Sequence, residues 1–338
     1  MKIGTLLTTA IVSLSTVGGG LAVYVAVTKY QTMERISEAQ GRLAIVRAAS
    51  DIPRYLNPER GFSTNILYGP ATIDPALLAE QDKLRKQTDG ARDRMNALRK
   101  ELPGSFDDGN TIGSNIDGIN AKFTALREAI DKALTGPAEA RKDAAKKIVT
   151  DNAVLNSGVT ALLNEQVRRM AILNGDAYRQ ASYANTAMTL RDVGGFNSSL
   201  HKNLVGGKKP ATDAEKADIG RSQGRNDQLV MALLELRGNP ATPANVGAAL
   251  EKFNSIYVEE FGRELKLVKD GAVSGKYEHD MDTYYAATQR GLSTIIEVRD
   301  AFYDNAEQIL AGARPRAPAS PSRLQALPPC SSRASASS

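Results

Sequence analysis

Arg60 is the residue whose chemistry stands out first. It lies in the stretch Pro58-Glu59-Arg60-Gly61-Phe62-Ser63-Thr64, and a guanidinium fork can hold a planar anion or a carboxylate through paired hydrogen bonds. A loose echo, Asp192-Val193-Gly194-Gly195-Phe196-Asn197-Ser198, has Arg191 just ahead of it. The two arginines are not in register: Arg60 directly precedes Gly61, whereas Arg191 precedes Gly194 by three positions. The expectation that Arg191 shares an anion-binding role therefore rests on the repeated phrase alone. The competing reading makes Arg60 the partner of a glutamate on a helix surface.

Little else in the chain looks reactive. No nucleophile elbow, paired glycosidase carboxylates or zinc signature can be read. His201 and His279 are too few and too far apart to specify a metal site, and Cys330 is the single cysteine. Gly206-Gly207-Lys208-Lys209 lacks phosphate-loop spacing and reads as an exposed turn. Gly194-Gly195 reads as a point of close helix packing or a local break. The expectation is of no cofactor, no metal and no enzymatic activity.

Such residues must be positioned by helices. The 338 residues are 42% hydrophobic but only 5% aromatic, without tryptophan, a composition suited to helices packed through aliphatic seams. A helix is expected from about Tyr30, kinked or broken at Pro53 and Pro58; a second spans Asp74 to Leu102, followed by a loop over Pro103 to Gly113. Ile116, Ile119, Phe123, Leu126, Ile130 and Leu134 then follow steps of 3, 4, 3, 4 and 4, one stripe of one helix. A long pattern runs from Ala138 toward Leu200, continuous across Asn164 to Tyr183, with Gly158 and Gly175 inside it. Lys202 to Thr212 reads as a loop, Asp213 to Arg237 as a helix. Val246, Leu250, Phe253, Tyr257, Phe261, Leu265 and Val268 form a further stripe with steps of 4, 3, 4, 4, 4 and 3. The last helix carries Met281, Leu292 and Phe302.

This order of elements repeats. Gly61-Phe62 matches Gly195-Phe196 at an offset of 134, and Lys122-Phe123 matches Lys252-Phe253 at an offset of 130, which points to a duplicated unit with small insertions. Four amphipathic helices per unit close one bundle. The expected architecture is all-α: a transmembrane helix over 1–28, two tandem up-down four-helix bundles over 29–180 and 181–312, and a disordered tail over 313–338.

Ile3 to Thr28 form 26 consecutive uncharged residues between Lys2 and Lys29, enough at about 1.5 Å per residue to cross a hydrocarbon core of about 30 Å. A cleaved signal peptide is the rival reading, but its apolar region is usually about 7–15 residues. Gly18-Gly19-Gly20 suits helix pairing in a membrane, and a homodimer is expected. The formal charge of +5 comes from Lys2 and the four arginines after Leu310, so Ile3 to Leu310 is neutral. Nucleic-acid binding is not expected of a body without basic excess.

Together, the membrane segment, the helical body and the phrase Glu59-Arg60-Gly61 resemble the sensing ectodomains of bacterial transmembrane receptors, in particular nitrate- and nitrite-sensing and helical bimodular domains. The resemblance covers residues 1 to 312 and implies a periplasmic ligand-sensing region of a methyl-accepting chemotaxis protein, histidine kinase or cyclic-dinucleotide enzyme, attached to the inner membrane through residues 3–28. It also implies a small anionic or carboxylate ligand near Arg60 and Arg191. Such receptors carry a second membrane helix and an output domain; here the chain turns after Gly312 into a Pro/Ser/Arg/Ala-rich stretch, read as a disordered or frameshifted tail on a truncated receptor. The alternative function is a membrane-anchored helical scaffold that binds a protein partner.

Overall fold

The computed structural model describes residues 3–69, 72–102 and 111–314, with backbone only for 4–10. Every regular element among them is helical: α1 Ile3–Tyr68, α2 Pro75–Glu101, α3 Thr111–Thr135, α4 Ala138–Met170, α5 Gly175–Gly207, α6 Asp213–Leu234, α7 Ala244–Phe253, a π-helical segment Asn254–Glu260, α8 Phe261–Ser274 and α9 Met281–Gly312. The all-α expectation holds. The tail beyond Arg314, and most of the expected loop at Pro103 to Gly113, lie outside the described residues.

Local chemistry sets these boundaries. Asp74 caps α2, its carboxylate accepting from the Ala76 N–H at 2.8 Å with Pro75 in the first helical position. Thr212 and Glu215 form a reciprocal capping box at the start of α6. The expected continuous helix across Asn164 to Tyr183 is interrupted: α4 ends at Met170, and Asn174 caps α5 by accepting from the Ala177 N–H at 2.9 Å. An asparagine before a glycine was the sequence signal for that break. The expected loop at Lys202 is helix through Gly207, and Lys208 ends it in the left-handed region at φ 46°.

α1 is helical through both Pro53 and Pro58, so neither breaks it. It is the one helix among the described residues long and apolar enough to cross a membrane, and side chains 11–35 are exposed along it. The compact unit is Glu34–Gly312. Its apolar side chains form a core that runs from Leu43 and Ile52 through Phe123 and Leu162 to Phe253, Ile295 and Phe302. The stripe expected from Ile116 to Ile130 is buried throughout. Within the unit α2, α3 and α4 follow one another in contact, while α5 lies along α6, α8 and α9. The α5 seam is narrow, with Ala177, Ala181, Ala184 and Ala187 all buried, which lets its neighbours approach closely.

The second stripe does not run along one uninterrupted α-helix. At about 100° per residue, each step of four overshoots a full turn by about 40°, and three such steps in succession carry the stripe off its face. The wider π-helical turn between Phe253 and Phe261 absorbs that excess, so Phe253, Tyr257 and Phe261 remain stacked, with ring centroids 5.4 and 5.6 Å apart.

Candidate functional site

Glu59 and Arg60 are neighbours in sequence, and on a helix their side chains diverge by about 100°. Glu59 is fully buried and faces α2 and α3. Arg127 Nη2 donates to its Oε2 at 2.9 Å, Arg127 Nε lies 2.7 Å from Oε1, and Arg85 Nε is 3.9 Å away. Arg127 also rests on the Phe123 ring, 4.7 Å from its centroid, with Arg92 4.8 Å from the same ring. Glu59 is thus the acid of a buried ion pair, a role that the sequence phrase did not reveal.

Arg60 looks the other way, toward Arg191 and Asp192 of α5. It is half-buried and makes no hydrogen bond or ion pair among the described residues, and its Nε is wholly enclosed without an acceptor. Burial lowers its pKa, the nearby Arg191 charge lowers it further, and Asp192 opposes the fall. The expected surface pairing with a glutamate is therefore not what the structure shows.

Arg191 is buried, and its contacts are long: 3.5 Å to its neighbour Asp192 and 3.4 Å to the Arg54 carbonyl. Burial lowers its pKa as well, against the Asp192 charge. The Arg54 carbonyl is free for a reason legible in the chain. Pro58 has no N–H, so the carbonyl four residues earlier loses its helical donor. Beside the other proline, Arg299 of α9 is almost completely buried and donates through Nη1 to the Ser50 carbonyl at 3.1 Å. Its Nη2 donates to Asp51 at 2.8 Å and Asp300 at 2.7 Å. Burial works against the Arg299 charge, but Asp300 and Asp51 outweigh it and raise its pKa.

A layer of short amides completes the region. Asn57 donates to Asp192 Oδ1 at 2.8 Å, and its own Oδ1 accepts from Asn152 at 3.1 Å and from Asn156 at 2.8 Å. Both α4 asparagines keep a buried Oδ1 without a protein donor. Burial raises the Asp192 pKa, while Arg191, Asn57 and Arg60 act to lower it. Arg54, Arg60, Arg191 and Arg299 thus face Asp51, Asp192 and Asp300 where α1, α4, α5 and α9 meet: four guanidiniums, with the exposed Arg94 of α2 a fifth at 3.3 Å from Asp51, against three carboxylates. Chemically the arrangement can accept one more negative charge, with Arg60 as the free fork.

The structure therefore brings together the two arginines named from sequence. It adds Asn57, Asn152, Asn156, Asp192 and Arg299, which sequence reasoning missed. Two surface clefts, of about 310 and 450 Å³, include neither Arg60 nor Arg191. No group of three or more potential metal-ligating side chains occurs among the described residues. Gly194 serves packing, as expected: a Cβ there would overlap the Tyr257 hydroxyl. Tyr284 is buried, whereas Tyr285 is exposed beneath the Lys202 ammonium.

No family model and no curated protein matches this sequence. Among solved structures the fold is similar to that of the NasR transcription antiterminator, with a TM-score of 0.66 at 10% identity over 87% of this chain and 75% of that one.

Proposed function

We propose that this chain is the ligand-sensing region of a bacterial membrane receptor, anchored in the inner membrane through the apolar part of α1 with its helical body in the periplasm. In this reading Arg60 and Arg191 bind a small planar anion or carboxylate, and the protein binds and transmits without catalysing a reaction. The observation that carries the reading is Arg60, a half-buried guanidinium with no acceptor among the described residues, set beside a second arginine with only long contacts. Arg191 already acts on the Arg60 charge, and an anion between the two would relieve that repulsion. Ligand binding would favour whichever packing of α1 against α5 lets both forks face the anion. Transcription antitermination, the role named for the similar structure, is not carried over, since 10% identity supports the fold alone.

The test is titration calorimetry of the full chain in detergent against nitrate, nitrite and acetate. Saturable binding of at least one is expected, weakened about tenfold or more in Arg60→Ala, as befits a hydrogen bond to a charged group. No saturable binding, or equal binding by Arg60→Ala, would overturn the reading.

A further inference from the structure

We propose that the groove between α6 and α8, with His201 of α5 at its base, is a second ligand site, for a small monocarboxylate that carries a hydroxyl on an apolar body. The groove has a volume of about 450 Å³, and an apolar cavity of about 150 Å³ already admits benzene. Its room comes from sequence: Gly220 and Gly224 stand one helical turn apart on α6, and a Cβ at either would meet no atom within 4 Å. Ala272 and Val273 of α8 supply apolar wall, Val273 being 77% exposed.

His201 defines what the deep end accepts. It is fully buried, and its Nδ1 lies 2.8 Å from the Asn197 carbonyl. A carbonyl can only accept, so Nδ1 carries the proton and Nε2 presents a lone pair. That Nε2 is enclosed and has no protein donor. Burial and the nearby Lys269 charge both lower the His201 pKa while the Asn197 carbonyl opposes them, which keeps the ring neutral. A hydroxyl reaching the base of the groove would donate to Nε2.

The rim defines the other end. Lys269 makes no ion pair among the described residues, and Lys216 is held only by exposed Asp213 at 3.2 Å. Asp227 is the one acid in the lining, and its Oδ1 accepts from Gln223 at 2.5 Å. Two ammonium groups against one engaged carboxylate favour an anionic head on the Lys269 side.

The full chain in detergent would be titrated with 4-hydroxybenzoate and, as the matched probe without a donor, benzoate. The site predicts saturable binding of 4-hydroxybenzoate and about tenfold weaker binding of benzoate, the consequence of leaving a buried acceptor unmet. His201→Phe would erase that difference. In the Arg60→Ala background, Gly224→Leu, which fills open space on a helix, would abolish binding of both probes without lowering the melting temperature. The difference between the probes would persist in the Arg60→Ala background, where carboxylate binding at the arginine pair is removed, which separates this site from that one. The proposal fails if 4-hydroxybenzoate does not saturate, if the two probes bind alike, if Gly224→Leu in the Arg60→Ala background binds normally, or if Arg60→Ala abolishes binding.

Discussion

The surroundings of Glu59-Arg60 and of Val193-Gly194 occupy corresponding places in the two halves of the chain at the offset of 134, yet they are built from opposite chemistry. In the first half Arg127, on α3, reaches back to a buried carboxylate on α1. At the sequence offset of 130 that relates Phe123 to Phe253, the residue corresponding to Arg127 is Tyr257. Tyr257 meets Gly194 of α5 and donates to Asn226 of α6 at 2.7 Å. The phrase itself keeps one habit in both places: Ser63 accepts from Gln81 of α2 at 2.9 Å, and Asn197 donates to Gln223 of α6 at 2.9 Å. The comparison teaches that a shared helical plan constrains where a long side chain crosses between helices, but not whether it crosses as a charge or as a ring.

The largest way to break the comparison is Glu59→Ala. It leaves Arg127, 16% exposed, facing Arg85 with only Asp89, 3.2 Å from its Nη1, as a remaining carboxylate, and a loss of up to about 3 kcal/mol is expected from chemical unfolding in detergent. Replacing both Glu59 and Arg127 by leucine should recover most of that loss, because removing a buried pair together is far less harmful than orphaning one member. A single-mutant loss below about 1 kcal/mol would place the pair in the class of screened surface bridges.

In the second half the corresponding break is steric. Gly194→Ala should destabilise by about 1–3 kcal/mol through overpacking against Tyr257, and part of that should return when Tyr257→Phe removes the obstructing hydroxyl. Gly61→Ala sharpens the contrast, since no atom lies within 4 Å of a Cβ there. It should stabilise α1 by about 0.5–1 kcal/mol. Gly195, the counterpart of Gly61, would meet only Leu292 at 3.8 Å, so melts of Gly61→Ala and Gly195→Ala that both fell as far as Gly194→Ala would overturn the contrast.

The smallest effect is electrostatic. Asp192 competes with any anion for Arg60 and Arg191, so Asp192→Asn should tighten nitrate binding by about 0.2–1 kcal/mol, the range for a partly solvated pair. Burial raises the Asp192 pKa, so the wild-type carboxylate begins to protonate above the ordinary carboxylate range as the pH falls. Nitrate affinity should therefore rise on acidification in the wild type and stay flatter in Asp192→Asn, which calorimetry at two pH values would check. The stability contribution has the same sign: it is present below the unfolded-state pKa and lost as the pH rises through the raised folded-state value.

The helices were legible because apolar steps of three and four are long-range signals, as Ile116 to Ile130 show. The break at Asn174 and the π-helical turn were written in shorter words. Asn174-Gly175 stood inside an otherwise helical pattern, and three successive steps of four looked like ordinary scatter. Of the arginine region, Arg60 and Arg191 could be named because long cations beside a repeated phrase draw attention. Asn57, Asn152 and Asn156 could not, since a short amide has the same appearance on a solvated face as in a buried layer. Arg299 was hidden by distance: its partner Asp51 lies 248 positions away, and nothing local announces the pairing. The carbonyl that receives Arg191 was deducible from Pro58, but only once α1 was known to continue through that proline.

The π-helical turn makes the chain tolerant of one particular length change. Such a turn holds one residue beyond what an α-helix of equal rise would contain, and its wider winding keeps everything from Phe261 onward on the same face despite that surplus. Deleting one residue between Asn254 and Glu260 would let ordinary helix re-form with seven steps of about 100° from Phe253 to Phe261, within about 20° of two full turns, so Leu265 and Val268 would still face the interior. In a lineage carrying this turn, loss of one residue should therefore be tolerated within Asn254–Glu260, whereas a one-residue change elsewhere between Val246 and Val268 would turn everything after it by about 100°.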